Sequence, residues 1–226
     1  MINYIKKFKN NINYFFFNRL NPDKLIFNIR IKIDKINTFL ELKNIADKNN
    51  FLWSGNWDNK KLNLNTYRKY SPSYNSIFQI FSENLNYKES EEYKIKSKLI
   101  LDGKKTGRGQ TLNELDDYFI SLEKLKLSLK KFGYKSQSEL SNSNKKDDEI
   151  GVVIGKNWEI IKLQDKFGGT HRFALCKILD IKEIIVSVKA MHISLFEKKE
   201  LKKILSGCNE DDVKYFLKKK LLNNID

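Results

Sequence analysis

The string Phe167-Gly168-Gly169-Thr170-His171-Arg172-Phe173-Ala174 gathers two glycines, a hydroxyl, an imidazole and a guanidinium where a helix, Thr170–Leu179, is expected to begin. Glycines permit backbone angles and close approaches closed to other residues. Amide groups at a helix start, aligned with the positive end of the helix dipole, bind phosphate. Arg172 can fork onto phosphate oxygens, and His171 can donate a hydrogen bond or act as an acid. The chemistry this spacing suits is therefore the binding of a phosphorylated anion. The same residues also fit a plainer assignment: Thr170 as the helix N-cap, Arg172 as a surface charge and His171 as a histidine satisfied by its neighbours.

Several elements must position that loop. Leu25 to Ile36 alternates Ile29, Ile31 and Ile33 with Arg30, Lys32 and Asp34, which is strand periodicity. A turn-rich segment, Trp53–Asp58, follows. Ser71-Pro72 reads as an N-cap with proline in the first turn, and Tyr74, Ile77, Phe78 and Phe81 then form one stripe. Leu101–Gln110 reads as a polar, glycine-bearing loop. The clearest helix starts with a capping box, Thr111 and Glu114, carries Leu112, Leu115, Phe119, Leu122, Leu125 and Leu129, and stops at Gly133. Ser136–Asp148 is a polar linker. Ile150–Ile154, the turn Gly155-Lys156-Asn157 and Trp158–Leu163 read as a hairpin, and Ile184–Val188 as a closing strand. The tail from Ser194 reads as two lysine-rich helices broken near Gly207. This mixture predicts an α/β or α+β fold with a mixed sheet flanked by helices and with helical N- and C-terminal extensions. The expected division is an arm and first strand over 1–50, a binding domain over 51–192 and basic helices over 193–226.

Composition narrows the classes. The chain has 226 residues, 43 Lys and Arg against 28 Asp and Glu, and a formal net charge of +15. Lysines are spread along it rather than gathered on one face, so a DNA groove reader is not favoured, although the surface should attract anions. Two cysteines, Cys176 and Cys208, exclude a disulfide scaffold, and two histidines, His171 and His192, leave little for a His-rich metal site. No apolar stretch approaches the roughly 20 residues that span a bilayer. A soluble, cytoplasmic protein is expected. The aromatic cluster Tyr14-Phe15-Phe16-Phe17 within residues 1–20 fits either an interfacial helix on an anionic membrane or an arm packed on its own domain.

The loop string resembles the F-G-G-C-H-R motif of sulfiredoxins and the G-x-[HR]-R box of ParB-type nucleotide-binding domains. The order around it, helix ending in Gly-Tyr, strand pair, motif helix, closing strand, is similar to the ParB/sulfiredoxin-like fold. Gly55-Asn56-Trp57-Asp58, Glu149 and His192 also resemble features of uncharacterised ParB-like proteins. The resemblance covers roughly Gly55 to His192 and implies that Gly168, Gly169, His171 and Arg172 hold the phosphates of ATP or CTP, with Thr170 beside them a further cofactor-binding candidate. Thr170 stands where sulfiredoxins carry the catalytic cysteine, and a hydroxyl cannot do that chemistry, so sulfinic-acid reduction is disfavoured. No clear helix-turn-helix follows the motif.

Some ParB-like domains are kinases, and the expectation is accordingly an ATP-dependent phosphotransferase acting on a hydroxyl of a small molecule or glycan. The alternative is a nucleotide-gated module of ParB type that binds DNA or a partner. Phosphoryl transfer needs phosphate clamps, a divalent cation such as Mg2+ and a group that orients the acceptor. Asp165 is the expected metal ligand and Glu149 the expected acceptor-orienting or basic group, with exchange of those roles open. Glu149 also fits a plainer reading as the solvated end of Asp147-Asp148-Glu149. Arg108 and Lys156 are further candidates for phosphate, with Asp58 and His192 outside them. Cys176, among Phe173, Leu175, Ile178 and Leu179, reads as core, as does Trp57.

Overall fold

A computed structural model describes residues 25–41, 51–140, 149–164, 168–197, 199–201 and 209–225. The aromatic arm, Asp165, Phe167, the break near Gly207 and Cys208 lie outside these residues. The described chain is α+β, with seven strands in one mixed sheet and helices packed against it. The strands are β1 (Phe27–Lys32), β2 (Ile36–Leu40), β3 (Leu52–Trp53), β4 (Leu62–Asn63), β5 (Ile150–Ile154), β6 (Ile160–Leu163) and β7 (Glu183–His192). Their order is β1-β7-β5-β6-β2-β4, with β3 pairing the end of β7. β5 and β6 form the expected antiparallel hairpin, while β5 runs parallel to β7 and β6 parallel to β2.

The alternation expected over 25–36 stops at Lys32. A 3-10 turn, Ile33–Lys35, then redirects the chain into β2 on the far side of the hairpin. Residues on both sides of position 50 thus share one sheet, and the first strand is no appendage: β1 is antiparallel to β7 from Phe27↔Val188 to Lys32↔Glu183. The closing strand is longer than its Ile184–Val188 kernel because Ala190, Met191 and His192 continue buried beside β3 and β5.

The α-helices with bounds among the described residues are, in chain order, α1 (Leu64–Tyr70), α2 (Pro72–Phe81), α3 (Glu91–Leu101), α4 (Leu112–Phe132), α5 (Thr170–Ile178) and α6 (Glu210–Leu222). The caps behave as their residue types require. Ser71 accepts from Tyr74 N at the start of α2, and Thr111 and Glu114 form a reciprocal capping box on α4. α1 and α3 were not anticipated, since α3 buries only Glu92 and Tyr93 and so lacks a long apolar stripe. α6 buries Val213, Leu217 and Leu221 at i, i+4 and i+8 in the same core as Phe27, Ile150, Phe173 and Val186. Strand alternation divides the side chains of the hairpin. Ile150, Val152, Ile154 and Ile160 face the main core, while Val153, Ile161 and Leu163 join Leu40, Trp53, Trp57 and Ala190 in a second cluster. No helix among the described residues is long and apolar enough to cross a membrane.

Candidate functional site

The turn into α5 is built by two glycines in the left-handed region, Gly168 at φ +82° and Gly169 at φ +75°. Gly169 is the N-cap, its carbonyl accepting from Phe173 N at 2.7 Å, so Thr170 is the first helical residue rather than the cap. The close approach Gly169 permits is to the start of β5. A Cβ there would lie 2.7 Å from Ile150 Cα, 2.9 Å from Ile150 Cγ1 and 3.1 Å from Ile150 N.

Beneath the turn lies a lysine that sequence reasoning missed. Lys162 is fully buried in β6, and alternation turns it toward the face that α5 covers. Its ammonium donates to the carbonyls of Leu163 and, at 3.4 Å, of Gly168. The visible signal was a lysine inside the apolar strand Ile160-Ile161-Lys162-Leu163.

His171 and Arg172 each meet a buried carboxylate. His171 Nε2 lies 2.6 Å from Glu92 Oε2, and His171 Nδ1 lies 3.0 Å from the Tyr118 hydroxyl and 3.4 Å from Arg108 Nη2. Ser73 Oγ donates to Glu92 Oε1 at 2.8 Å, Glu92 N donates to Ser76 Oγ at 2.7 Å, and Arg108 Nε stands 3.5 Å from Glu92 Oε1. The Arg108 guanidinium also lies over the Tyr118 ring, 4.8 Å from its centroid. Serines on α2 thus fasten the start of α3 and aim its carboxylate at the first turn of α5. Burial pushes the Tyr118 phenol above its ordinary range, so it holds its proton.

Arg172 is not a surface charge. Only 14 % of its side chain is exposed, and Nη1 donates to Glu149 Oε2 at 2.9 Å and to the Tyr134 hydroxyl at 3.2 Å. Glu149 is fully buried, which overturns the solvated reading. Tyr134 OH donates to its Oε2 at 2.5 Å and Gln137 N to its Oε1 at 2.6 Å. Its observed task is to hold Arg172. Tyr134 precedes the polar segment Ser136–Asp148 and Gln137 lies within it, so the start of that segment is part of the site's wall.

The structure brings Gly168, Gly169, Thr170, His171, Arg172, Arg108 and Glu149 to one end of the hairpin, together with Glu92, Tyr118, Tyr134 and Lys162. Lys156 is not among them. It sits on the turn at the opposite end, four strand steps or about 13 Å away, where Asp58 holds both its amide (3.1 Å) and its ammonium (3.3 Å). His192 is at that end too. Its Nδ1 accepts from Ser194 N at 3.0 Å while Nε2 faces the Gly55 carbonyl at 2.8 Å, which fixes a neutral ring protonated on Nε2. Asp58 and His192 with Trp57, whose ring is 5.6 Å from that of His192, form a separate cluster. Cys176 is buried and its thiol is pushed up to about 12 by burial, so it is no ready nucleophile.

Both clusters couple folding to pH. Burial alone would raise the Glu92 carboxyl, but the hydrogen bond and charge of His171, then Arg108 and Ser73, outweigh it and bring the group from 4.5 down to about 2. Its contribution to stability is complete above pH 4.5 and is lost as pH falls toward 2. Burial, helped by Lys156 and opposed by Gly55 and Asp58, lowers His192 below 6.5, so its contribution is complete above pH 6.5 and declines below it. Thermal unfolding across pH is expected to show a first decline that His192→Gln removes and a second, below pH 4.5, that Glu92→Gln reduces. A His192→Gln profile parallel to the wild type counts against this assignment.

Among the described residues no group of three or more His, Cys, Asp or Glu side chains could hold a metal ion. The carboxylates of the site are already engaged, Glu149 by Arg172 and Glu92 by His171 and Arg108. Compared with protein-family models, curated proteins and solved structures, the chain matches none.

Proposed function

We propose that this chain is a nucleotide-dependent phosphotransferase of ParB/sulfiredoxin-like kind, moving a phosphoryl group from ATP to a hydroxyl of a small molecule or glycan. The observation that carries the reading is the charge around the Gly168-Gly169 turn. The guanidiniums of Arg108 and Arg172 stand with the positive end of α5 beside the two glycines, and the Lys162 side chain lies beneath the turn. Basic groups gathered at a helix N-terminus suit a polyphosphate. The order of hairpin, glycine turn, helix and closing strand supports the same reading. Gly168, Gly169, Thr170 and Arg172 would cradle the phosphates, with Arg108 closing over them. When bound, the nucleotide supplies the activated phosphoryl group. Magnesium would arrive with the phosphates, because the described carboxylates do not make a site for it; Asp165, its expected ligand, lies outside them.

Arg108 is the informative residue to change. It is one-third exposed, its contact with Glu92 is long, and Glu92 keeps its hydrogen bonds to His171 and Ser73 without it. Losing one charge-assisted contact costs roughly 1.5–3 kcal/mol, so Arg108→Ala is expected to weaken ATP binding about 10- to 150-fold with the fold intact by circular dichroism. Titration calorimetry with ATP and CTP measures this. Unchanged affinity in the variant, or a wild type that binds neither nucleotide, overturns the reading. Tight CTP binding without turnover would favour the gated module instead.

A further inference from the structure

The contacts of His171 define a proton path that the loop motif does not announce, and the inference drawn from it rests on the phosphotransferase reading. Glu92 is ionised at neutral pH, so its Oε2 can only accept, and the 2.6 Å contact places a proton on His171 Nε2. On the other side of the ring, Arg108 can only donate, and its Nη2 stands 3.4 Å from Nδ1. An Nδ1–H would point at that guanidinium; a bare Nδ1 accepts from it and from the Tyr118 hydroxyl at 3.0 Å. The groups around the ring therefore select one neutral tautomer, with its lone pair turned to Tyr118. Tyr118 lies on α4 and is only partly buried, with its ring held beneath Arg108 and its hydroxyl turned to His171.

The geometry points to Tyr118–His171–Glu92 as the proton relay of the site, with Tyr118 touching the acceptor hydroxyl and Glu92 acting as the positioning residue for His171. In the step, the acceptor's O–H proton passes to the Tyr118 oxygen as the Tyr118 proton passes to His171 Nδ1. The acceptor oxygen uses its electron pair to bond phosphorus, and the bond from phosphorus to the leaving nucleoside diphosphate breaks with its electrons on that oxygen. The ring ends as an imidazolium held by ionised Glu92, which does not itself take the proton. Ser73, donating to the second oxygen of Glu92, keeps that carboxylate turned to the ring.

The experiment uses the full chain with 15N-labelled histidine, His192→Gln separating its two ring signals. In the ligand-free protein at neutral pH, His171 is expected with Nε2 protonated and Nδ1 bare, and Tyr118→Phe is expected to shift the Nδ1 resonance while leaving the ring neutral. A protonated Nδ1 overturns the relay whatever the activity. In parallel, ATP binding and ATP hydrolysis, with water standing in for the acceptor, are measured for Tyr118→Phe and Glu92→Gln. Hydrolysis is expected to fall at least 10-fold in the first and about 100-fold in the second, with ATP affinity within threefold of wild type. Normal hydrolysis in both variants overturns the relay alone. Absence of ATP binding by the wild type overturns the phosphotransferase reading and the relay with it. Should Glu92→Gln fold poorly, Ser73→Ala, which leaves the carboxylate in place, is expected to show a smaller loss in the same direction, and full activity there counts against the positioning role.

Discussion

Glu149→Ala is expected to lower stability by about 3–5 kcal/mol, the cost of removing one partner from a buried ion pair. Three donors lose their acceptor at once: the Arg172 guanidinium, the Tyr134 hydroxyl and the Gln137 amide. Arg172 keeps 14 % exposure, too little for water to take over the role of the carboxylate. For a chain of this length each kcal/mol moves the midpoint by about 2–4 °C, so the unfolding temperature should drop by about 6–20 °C. Glu123→Ala, at an exposed carboxylate paired with Lys126, is the control and should shift little. Replacing the pair together, Glu149→Leu with Arg172→Met, should recover much of the loss, because the charge left alone is what costs most. A Glu149→Ala midpoint no lower than that of Glu123→Ala would show that the pair contributes nothing to the fold.

Gly169→Ala should be nearly as damaging, for a different reason. The new methyl would stand 2.7 Å from Ile150 Cα and 3.1 Å from Ile150 N, backbone atoms in the middle of the sheet that cannot swing aside. An alanine at φ +75° adds left-handed strain of roughly 1–2 kcal/mol. The sum is expected to exceed about 3 kcal/mol, and the turn should lift from β5, loosening His171 and Arg172 together. Gly103 supplies the comparison: φ is +72°, but nothing lies within 4 Å of its missing Cβ, so Gly103→Ala should show the strain alone. Equal melting points for the two variants would remove the steric part of the argument.

Local patterns were readable in the chain before its fold. The capping box of α4, the Ser71 cap of α2, the hairpin and the extent of α5 each depend on residues within a few positions of one another. The glycine turn was equally plain, and its two positive φ angles explain why both positions are glycine. What could not be read was whom His171 and Arg172 would meet. Glu92 is 79 positions from His171, Tyr118 is 53 away and Arg108 is 63 away. Acidic residues in a helix's first turn ordinarily answer the dipole, so Glu92 in Ser90-Glu91-Glu92 carried no mark of a buried role. Tyr118 was hidden beside Phe119 in an amphipathic stripe. Lys156 was misplaced because adjacency to the hairpin says nothing about which end of it faces the loop.

The long strand β7 has a consequence for how the chain is made. β1 waits for Val188, 161 positions downstream, before its backbone meets the partner it has in the sheet. During synthesis its apolar face, Phe27, Ile29 and Ile31, must pass through a long interval with that partner not yet translated. Closure of the sheet is consequently a late and far-reaching event, of the kind that slows folding. Until β7 is made, the apolar side chains of β1 lack the neighbours that cover them in the finished sheet and need shielding from other surfaces.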